Sequence, residues 1–277
     1  MSSYGEGALA MGQLQNISQD LIKTVKWLIP ATCLICRQPH DAARAICADC
    51  EHGFSRNRQA CHRCALPLQA SDSPAIHRSD FGGISERALC PTCIRHPPAV
   101  VSAHAPYLMR TGMRDLIHLW KFQNRPHLSP LLADLLVNDL PQADKTPGAS
   151  EGKAMQRVLV PIPTQWRRQV SRGFDHTWLL AQAIRSRHAE QMVVLSWLGN
   201  RRYRPPQHEL GRKQRLMAVE DRFRAHPKVA GRHITLVDDV MTTGATMRGA
   251  ANALRRAGAR SVEVWCLART PAPYNAG

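Results

Sequence analysis

Acidic residues are scarce in this chain: 21 Asp and Glu face 37 Lys and Arg, for a formal charge of +16. Such a surplus suits polyphosphate ligands, nucleic acid, or both. Aromatic residues are also few, at 5%. Only Trp166, Trp178, Trp197, Tyr203 and a handful of others could stack on bases, and several of these must serve the core. No apolar run approaches the ~20 residues of a membrane span. The first thirty residues carry Glu6 and Asp20 and show neither a leading basic cluster nor a small-residue cleavage site, so no signal peptide and a cytoplasmic protein are expected. A helix-turn-helix signature is missing too, which leaves a transcription regulator without its reading element.

What is present is cysteine in a strict arrangement. Eight of the nine fall in Cys-x-x-Cys pairs within 61 residues: Cys33/Cys36, Cys47/Cys50, Cys61/Cys64 and Cys90/Cys93. In a cytosolic chain this spacing points to metal rather than disulfides, and to tetrahedral zinc before an iron–sulfur cluster. Sequential pairing puts Cys33, Cys36, Cys47 and Cys50 on one zinc and Cys61, Cys64, Cys90 and Cys93 on the other. An interleaved pairing is sterically open, but the ten-residue gap between the first two pairs fits a ribbon hairpin. So small a segment buries little core, and each zinc, worth on the order of 10 kcal/mol, is expected to be structural. Loss of eight thiol protons and gain of two divalent ions takes the formal +16 to about +12. Cys266, within Val264-Trp265-Cys266-Leu267, reads as a core residue.

The second strong signal is Ile234-Thr235-Leu236-Val237-Asp238-Asp239-Val240-Met241-Thr242-Thr243-Gly244-Ala245-Thr246. It reads as a buried strand, two carboxylates, a hydroxyl- and glycine-rich turn, then a helix. Thr242, Thr243 and Thr246 offer hydroxyls, Gly244 lets successive N–H groups turn inward, and the helix N-terminus near Ala245 adds roughly half a positive charge. A phosphate held there leaves its sugar hydroxyls beside Asp238 and Asp239, which can accept from them and help hold Mg²⁺. Any three of these residues would be explained by an ordinary capped helix start; nine contiguous ones from Asp238 to Thr246 are not. The acids are expected on an exposed strand end, where their loss would barely change thermal stability.

Along the rest of the chain, a tail and short amphipathic helix fill residues 1–30, with apolar spacing over 14–29. Residues 31–98 form a double zinc-ribbon module with a loop over 70–83. Residues 99–270 form the main domain, and 271–277 a tail. In the main domain a β-like segment covers 100–109 and helices cover 111–121 and 128–140. Strands are expected over 157–162, 192–197, 233–237 and 261–267, helices over 175–187 and 246–257, and polar loops over 141–154 and 199–215. Such alternation implies a parallel sheet flanked by helices, with ligands at the carboxyl ends of its strands. Twelve Lys and Arg lie between residues 157 and 215, against Asp175, Glu190 and Glu209.

The Asp238–Thr246 segment resembles the phosphoribosyl-pyrophosphate loop of type I phosphoribosyltransferases. That resemblance implies that Asp238 and Asp239 bind the ribose hydroxyls and act in catalysis, and that Val240, Met241, Thr242, Thr243, Gly244, Ala245 and Thr246 complete the phosphate and ribose site. With the cysteine module in front, the chain is similar to the ComF family. Further family-like segments are Leu119-Trp120-Lys121-Phe122, Val160-Pro161-Ile162-Pro163 with Arg167 and Arg168, Arg172-Gly173-Phe174, Arg204, Gln207 and Leu210 with Arg215 and Phe223, and Leu267-Ala268-Arg269-Thr270. The implied fold is α/β: a type I phosphoribosyltransferase-like parallel sheet flanked by helices, behind an N-terminal zinc-ribbon module with four cysteines per metal. Lys121, Pro161, Arg167, Arg168 and Arg172 become candidates for the pyrophosphate side. Asp175-His176 stands where the family usually has Asn-Gln, and Asp175 reads best as a helix N-cap.

The resemblance implies phosphoribosyl pyrophosphate with Mg²⁺ as ligand, two structural zincs, and a place in DNA uptake and natural transformation, handling single-stranded DNA beside a helicase-like competence protein. The competing reading is a sensor of phosphoribosyl pyrophosphate or a nucleotide that does not turn over, with a zinc module for DNA or protein. Thr242 cannot accept a proton near neutral pH, so 6-oxopurine salvage is not expected. Glutamine-dependent amidotransfer is not expected either, since the chain starts Met1-Ser2-Ser3 and shows no glutaminase segment.

Overall fold

The computed structural model describes residues 31–40, 44–68, 77–78, 84–85, 88–140, 157–164, 173–188, 192–200 and 222–271. The helix expected over 14–29, the loop over 141–154, most of the loop over 199–215, and Arg167, Arg168, Arg172, Arg204, Gln207, Leu210 and Arg215 lie outside these residues. Two compact units result, one ending at Gly53 and the other beginning at Phe54.

In the first unit, β1 (Ala31–Thr32) and β2 (Pro39–His40) pair antiparallel around the Cys33–Cys36 turn. The turn closes through Arg37 N–H donating to the Cys33 carbonyl at 2.9 Å. Helix α1 (Ala48–His52) follows with Cys47 at its N-cap, and Arg44 pairs with Glu51 at 2.7 Å.

The second unit holds the other two cysteine pairs and the main sheet. Ala65 N–H donates to the Cys61 carbonyl at 2.8 Å, closing the Cys61–Cys64 knuckle. The short strands β3 (His77–Arg78) and β4 (Ile84–Ser85) pair antiparallel. Helix α2 (Pro91–Arg95) starts at Cys90 as N-cap with Pro91 at its first position, where no intrahelical N–H is needed.

The remaining elements are β5 (Ser102–His104), β6 (Tyr107–Leu108), α3 (Met113–Phe122), α4 (Ser129–Asn138), β7 (Arg157–Pro161), α5 (His176–His188), β8 (Met192–Val194), β9 (Leu198–Asn200), β10 (Phe223–Ala225), β11 (His233–Met241), α6 (Ala245–Arg256) and β12 (Ser261–Arg269). The main sheet runs β5-β12-β11-β7-β8, with β6 also against β12, and every pairing is parallel. Its central strands are buried on both faces, so Val158, Leu159 and Val160 and likewise Leu236 and Val237 are consecutive apolar residues rather than alternating ones. Buried Met113, Leu116, Ile117 and Trp120 form one stripe on α3, and Met247, Ala250, Ala251 and Leu254 one stripe on α6, both at helical spacing.

Two expected strands change. The strand expected over 192–197 ends at Val194, the last residue to join the main sheet, and a separate strand, Leu198–Asn200, pairs antiparallel with β10 where a loop was expected from residue 199. The strand expected over 233–237 continues to Met241, because β12 keeps pairing beside it through Met241↔Arg269. The two acids therefore sit inside the strand. On the other side β7 leaves at Val237↔Pro161, so the edge beyond Val237 opens there. From β7 the chain builds β8 on one flank, then crosses to β11 on the other. That reversal makes a crevice at the carboxyl ends of β7 and β11.

Candidate functional site

A cleft of about 380 Å³ occupies this crevice. Asp238, Asp239, Val240, Thr242 and Thr246 line one wall, Ile162, Pro163, Thr164, His176 and Thr177 another, and Met109, Lys121, Arg222 and Phe223 complete it. The loop residues, the β7 exit and Lys121 thus come to one place. Val160-Pro161-Ile162-Pro163 contributes through Ile162 and Pro163, while Pro161 is buried in the strand pairing.

The Thr242–Thr246 wall is built by a turn that only glycine accepts comfortably. Gly244 has φ 73 in the left-handed region and caps α6. Ala245 N–H turns back to Thr243 Oγ1 at 3.3 Å, and Arg248 Nη1 donates to the Thr243 carbonyl at 3.3 Å. Thr242 and Thr243 are exposed. The turn is held at its base by Arg269, which is 5% exposed and donates to the Met241 carbonyl at 3.0 Å and to the Thr242 carbonyl.

The acids differ from each other and from the exposed pair expected. Asp239 is 3% exposed, and its carboxylate receives the Lys121 ammonium. His176 Nε2 lies 3.6 Å from Asp239 Oδ2, its ring edge-on to Trp120 at 5.4 Å. Asp238 is half-buried; burial pushes its carboxyl up to about 7, with Asp175 adding to the rise and Lys121 opposing it. Each acid also accepts the next residue's N–H, Asp239 N to Asp238 Oδ1 at 2.9 Å and Val240 N to Asp239 Oδ1 at 2.8 Å. The expectation of thermally indifferent acids fails for Asp239, whose loss would strand the Lys121 charge.

Asp175 is the N-cap of α5, accepting from Trp178 N–H at 3.2 Å. It also accepts from Thr164 Oγ1 at 3.1 Å and from Thr177 Oγ1 at 2.8 Å, while Thr177 Oγ1 lies 2.7 Å from the Ile162 carbonyl. This cluster fixes the β7 exit to α5. Sequence reasoning does not reach Thr164, Thr177 or His176 as site residues. The only signal for His176 is its departure from the family's Gln.

Cysteine sulfurs gather in two sets, Cys33, Cys36, Cys47 and Cys50 in the first unit and Cys61, Cys64, Cys90 and Cys93 in the second, each set lying within 4.8 Å. This is the sequential pairing. Cys36 and Cys47 sulfurs are 3.8 Å apart, and those of Cys64 and Cys90 3.7 Å. A tetrahedron of sulfurs around zinc at ~2.3 Å has edges of ~3.8 Å, so the spacing fits the metal. The electrostatics fit as well. Burial opposes ionisation of Cys33, yet N–H groups of Cys47, Cys36 and Ile35 outweigh it and bring the thiol down to about 6. Burial, then the neighbouring thiols, push Cys50 up to about 12. In the second set Cys64 and Cys93 hold Cys61 far below the thiol range, while Cys61 pushes Cys64 up to about 12 and raises Cys93 strongly. Cys33 and Cys61 favour the thiolate while Cys50, Cys64 and Cys93 resist ionising; a divalent cation removes that conflict. Cys266 is fully buried and its thiol is pushed up by burial, as a core residue's would be.

Among the described residues no helix is long and apolar enough to cross a membrane. Residues 24–94 match the double zinc ribbon domain family and residues 178–276 the phosphoribosyl transferase domain family. The chain is 31% identical over 248 residues to the DNA utilization protein YhgH of Escherichia coli, covering 87% of this chain and 98% of that one. It is 26% identical over 245 residues to competence protein F of Haemophilus influenzae, covering 86% and 96%. It is 24% identical over 251 residues to competence protein ComFC of Streptococcus pneumoniae, covering 89% and 97%.

Proposed function

Since this chain belongs to the ComF family, a double zinc ribbon followed by a phosphoribosyltransferase domain, we propose that its cleft binds phosphoribosyl pyrophosphate together with Mg²⁺. The observation that carries the reading is the meeting of Asp238 and Asp239 with the Thr242–Thr246 turn at the crevice between β7 and β11. The turn offers hydroxyls and inward N–H groups to the 5′-phosphate, and the two carboxylates offer acceptors to the ribose hydroxyls and a share in the cation. Lys121 starts on Asp239 and would move toward, or share itself with, the pyrophosphate as ligand enters. Arg167, Arg168 and Arg172 follow the β7 exit in sequence and are the further candidates for that charge. The two zincs are structural.

In the cell we propose that the protein serves DNA utilization in the cytoplasm, with single-stranded DNA as a partner and a helicase-like competence protein beside it. The names of its relatives and the basic surplus support this. If the ligand turns over, a nucleophile displaces pyrophosphate at ribose C1, and the protein's part is to position the ribose and stabilise the departing charge. A sensor without turnover is the second reading, favoured by Thr242 at the cleft wall, which offers no base near neutral pH. Calorimetry with phosphoribosyl pyrophosphate and Mg²⁺ tests binding, and no heat of binding would end the transferase reading and leave only a nucleotide sensor. Pyrophosphate release on addition of candidate acceptors separates transferase from sensor.

A further inference from the structure

Arg269 reaches in two directions. Its Nε donates to the Cys64 carbonyl in the second cysteine cluster at 3.1 Å, and its Nη1 donates to the Met241 carbonyl at 3.0 Å and to the Thr242 carbonyl where the phosphate turn begins. A further bond goes to the Thr270 carbonyl at 2.7 Å. The side chain is buried at 5% exposure and, among the described residues, forms no ion pair with a carboxylate.

A buried guanidinium held only by neutral carbonyls is costly unless a negative charge lies close. The second cysteine cluster, whose Cys64 carbonyl Arg269 already bonds, is the adjacent source of such charge once its thiols are ionised around a metal. Four thiolates around one zinc carry a net charge of about −2, which makes the loaded cluster the natural counter-charge for Arg269. The same residue therefore depends on the cluster and holds the turn.

We propose that Arg269 is a positioning residue that couples metal occupancy of the Cys61/Cys64/Cys90/Cys93 site to the order of the Thr242–Thr246 turn. Zinc in that site keeps the Cys64 carbonyl and the counter-charge in place; Arg269 transmits both to the Met241 and Thr242 carbonyls. Without the metal the knuckle loosens, Arg269 loses its second anchor, and the turn loses its fixed base. Arginine suits the task because its planar fork can bond on two sides at once, which a lysine ammonium on a flexible stem does not reproduce.

The ligand of the turn rests on the function proposed above, so the test begins with a readout that needs none. In full-length protein, amide hydrogen exchange is followed at residues 242–246, with β7 and α4 as references. Arg269→Met is expected to retain both zincs by elemental analysis, to leave β7 and α4 protected, and to speed exchange in the turn by on the order of tenfold. Cys93→Ser, which unloads the second site, is expected to do the same in the native background and to add little in the Arg269→Met background. Cys36→Ser, which unloads the first site, is the control and should leave the turn protected. Turn protection unchanged in Arg269→Met overturns the proposal, as does full additivity of Cys93→Ser with Arg269→Met. Calorimetry with phosphoribosyl pyrophosphate and Mg²⁺ then asks whether the same variants weaken binding. An absence of binding in the native chain counts against the proposed ligand and leaves the exchange result to decide the coupling.

Discussion

The Lys121 ammonium on α3 meets the Asp239 carboxylate on β11, with the two side chains only 15% and 5% exposed. A helix outside the sheet and its central strand thus share one charge pair at the bottom of the cleft. Removing one partner of a buried pair costs ~3–5 kcal/mol, and access of water to the cleft reduces this to about 2–3 kcal/mol here. Lys121→Met is expected to lower the urea midpoint accordingly, and an unchanged midpoint would show that Asp239 needs no partner.

Asp238→Asn combined with Asp239→Asn is expected to weaken phosphoribosyl pyrophosphate binding at least about tenfold, since hydrogen bonds to charged groups are worth ~1.5–3 kcal/mol each. Calorimetry in the presence of Mg²⁺ reads the change. Equal affinity in the variant would make the acids a feature of the fold alone.

Asp238 also predicts a pH dependence in Mg²⁺-free buffer. Its folded carboxyl sits near 7 against an ordinary value of 3.8, so between those limits the folded state binds more protons than the unfolded state. Its contribution is therefore most favourable below about 4, declines as pH rises toward 7 and is fully lost above it. Asp238→Asn should flatten the fall in stability over this range. Parallel curves for the native and substituted proteins, measured by denaturant titration, would contradict the shift.

Protein purified without added metal is expected to contain about two zincs per chain, because each set of four cysteines has the edge length of a zinc tetrahedron. A chain free of zinc, or one carrying a brown iron chromophore, would overturn this assignment.

Binding to single-stranded DNA is expected to show little sequence preference and to fall steeply with salt. Part of the basic density is already engaged: Arg157 pairs with Glu263 at 2.7 Å, and Arg187 holds Asp134 through two bonds of 2.6 Å. Charge-reversal of Arg185, which is exposed and forms no ion pair among the described residues, should therefore cost more DNA affinity than Arg187→Glu. A filter-binding titration that ranks them the other way would move the interface.

The cysteine clusters and the Thr242–Thr246 turn were legible because their chemistry is local: fixed short spacings place the sulfurs, and a contiguous run carries both acids and the turn. The α/β alternation was legible for the same reason, through helical spacing on α3 and α6 and apolar runs in β7 and β11. What the sequence concealed is what the sheet brings together. Nothing near Asp239 in sequence announces its pairing with Lys121 or its approach to His176, and Arg269 reads only as part of the family-like segment Leu267-Ala268-Arg269-Thr270. The extent of β11 was missed because charged residues ordinarily end a buried strand; here continued pairing with β12 outweighs the charge.

The second cysteine knuckle is stitched to the sheet by more than its metal. Ala103 N–H donates to the His62 carbonyl at 2.8 Å, and Asn57 Nδ2 binds the carbonyls of Ala65 and Ala105 at 2.9 and 3.0 Å. Such a knuckle cannot be exchanged as a free cassette. A gene fragment opening after it would yield a sheet with an orphaned border of polar groups, and an insertion that displaced it would disturb the cleft from behind. Substitutions in the knuckle are therefore expected to register at the sheet edge as well as at the metal.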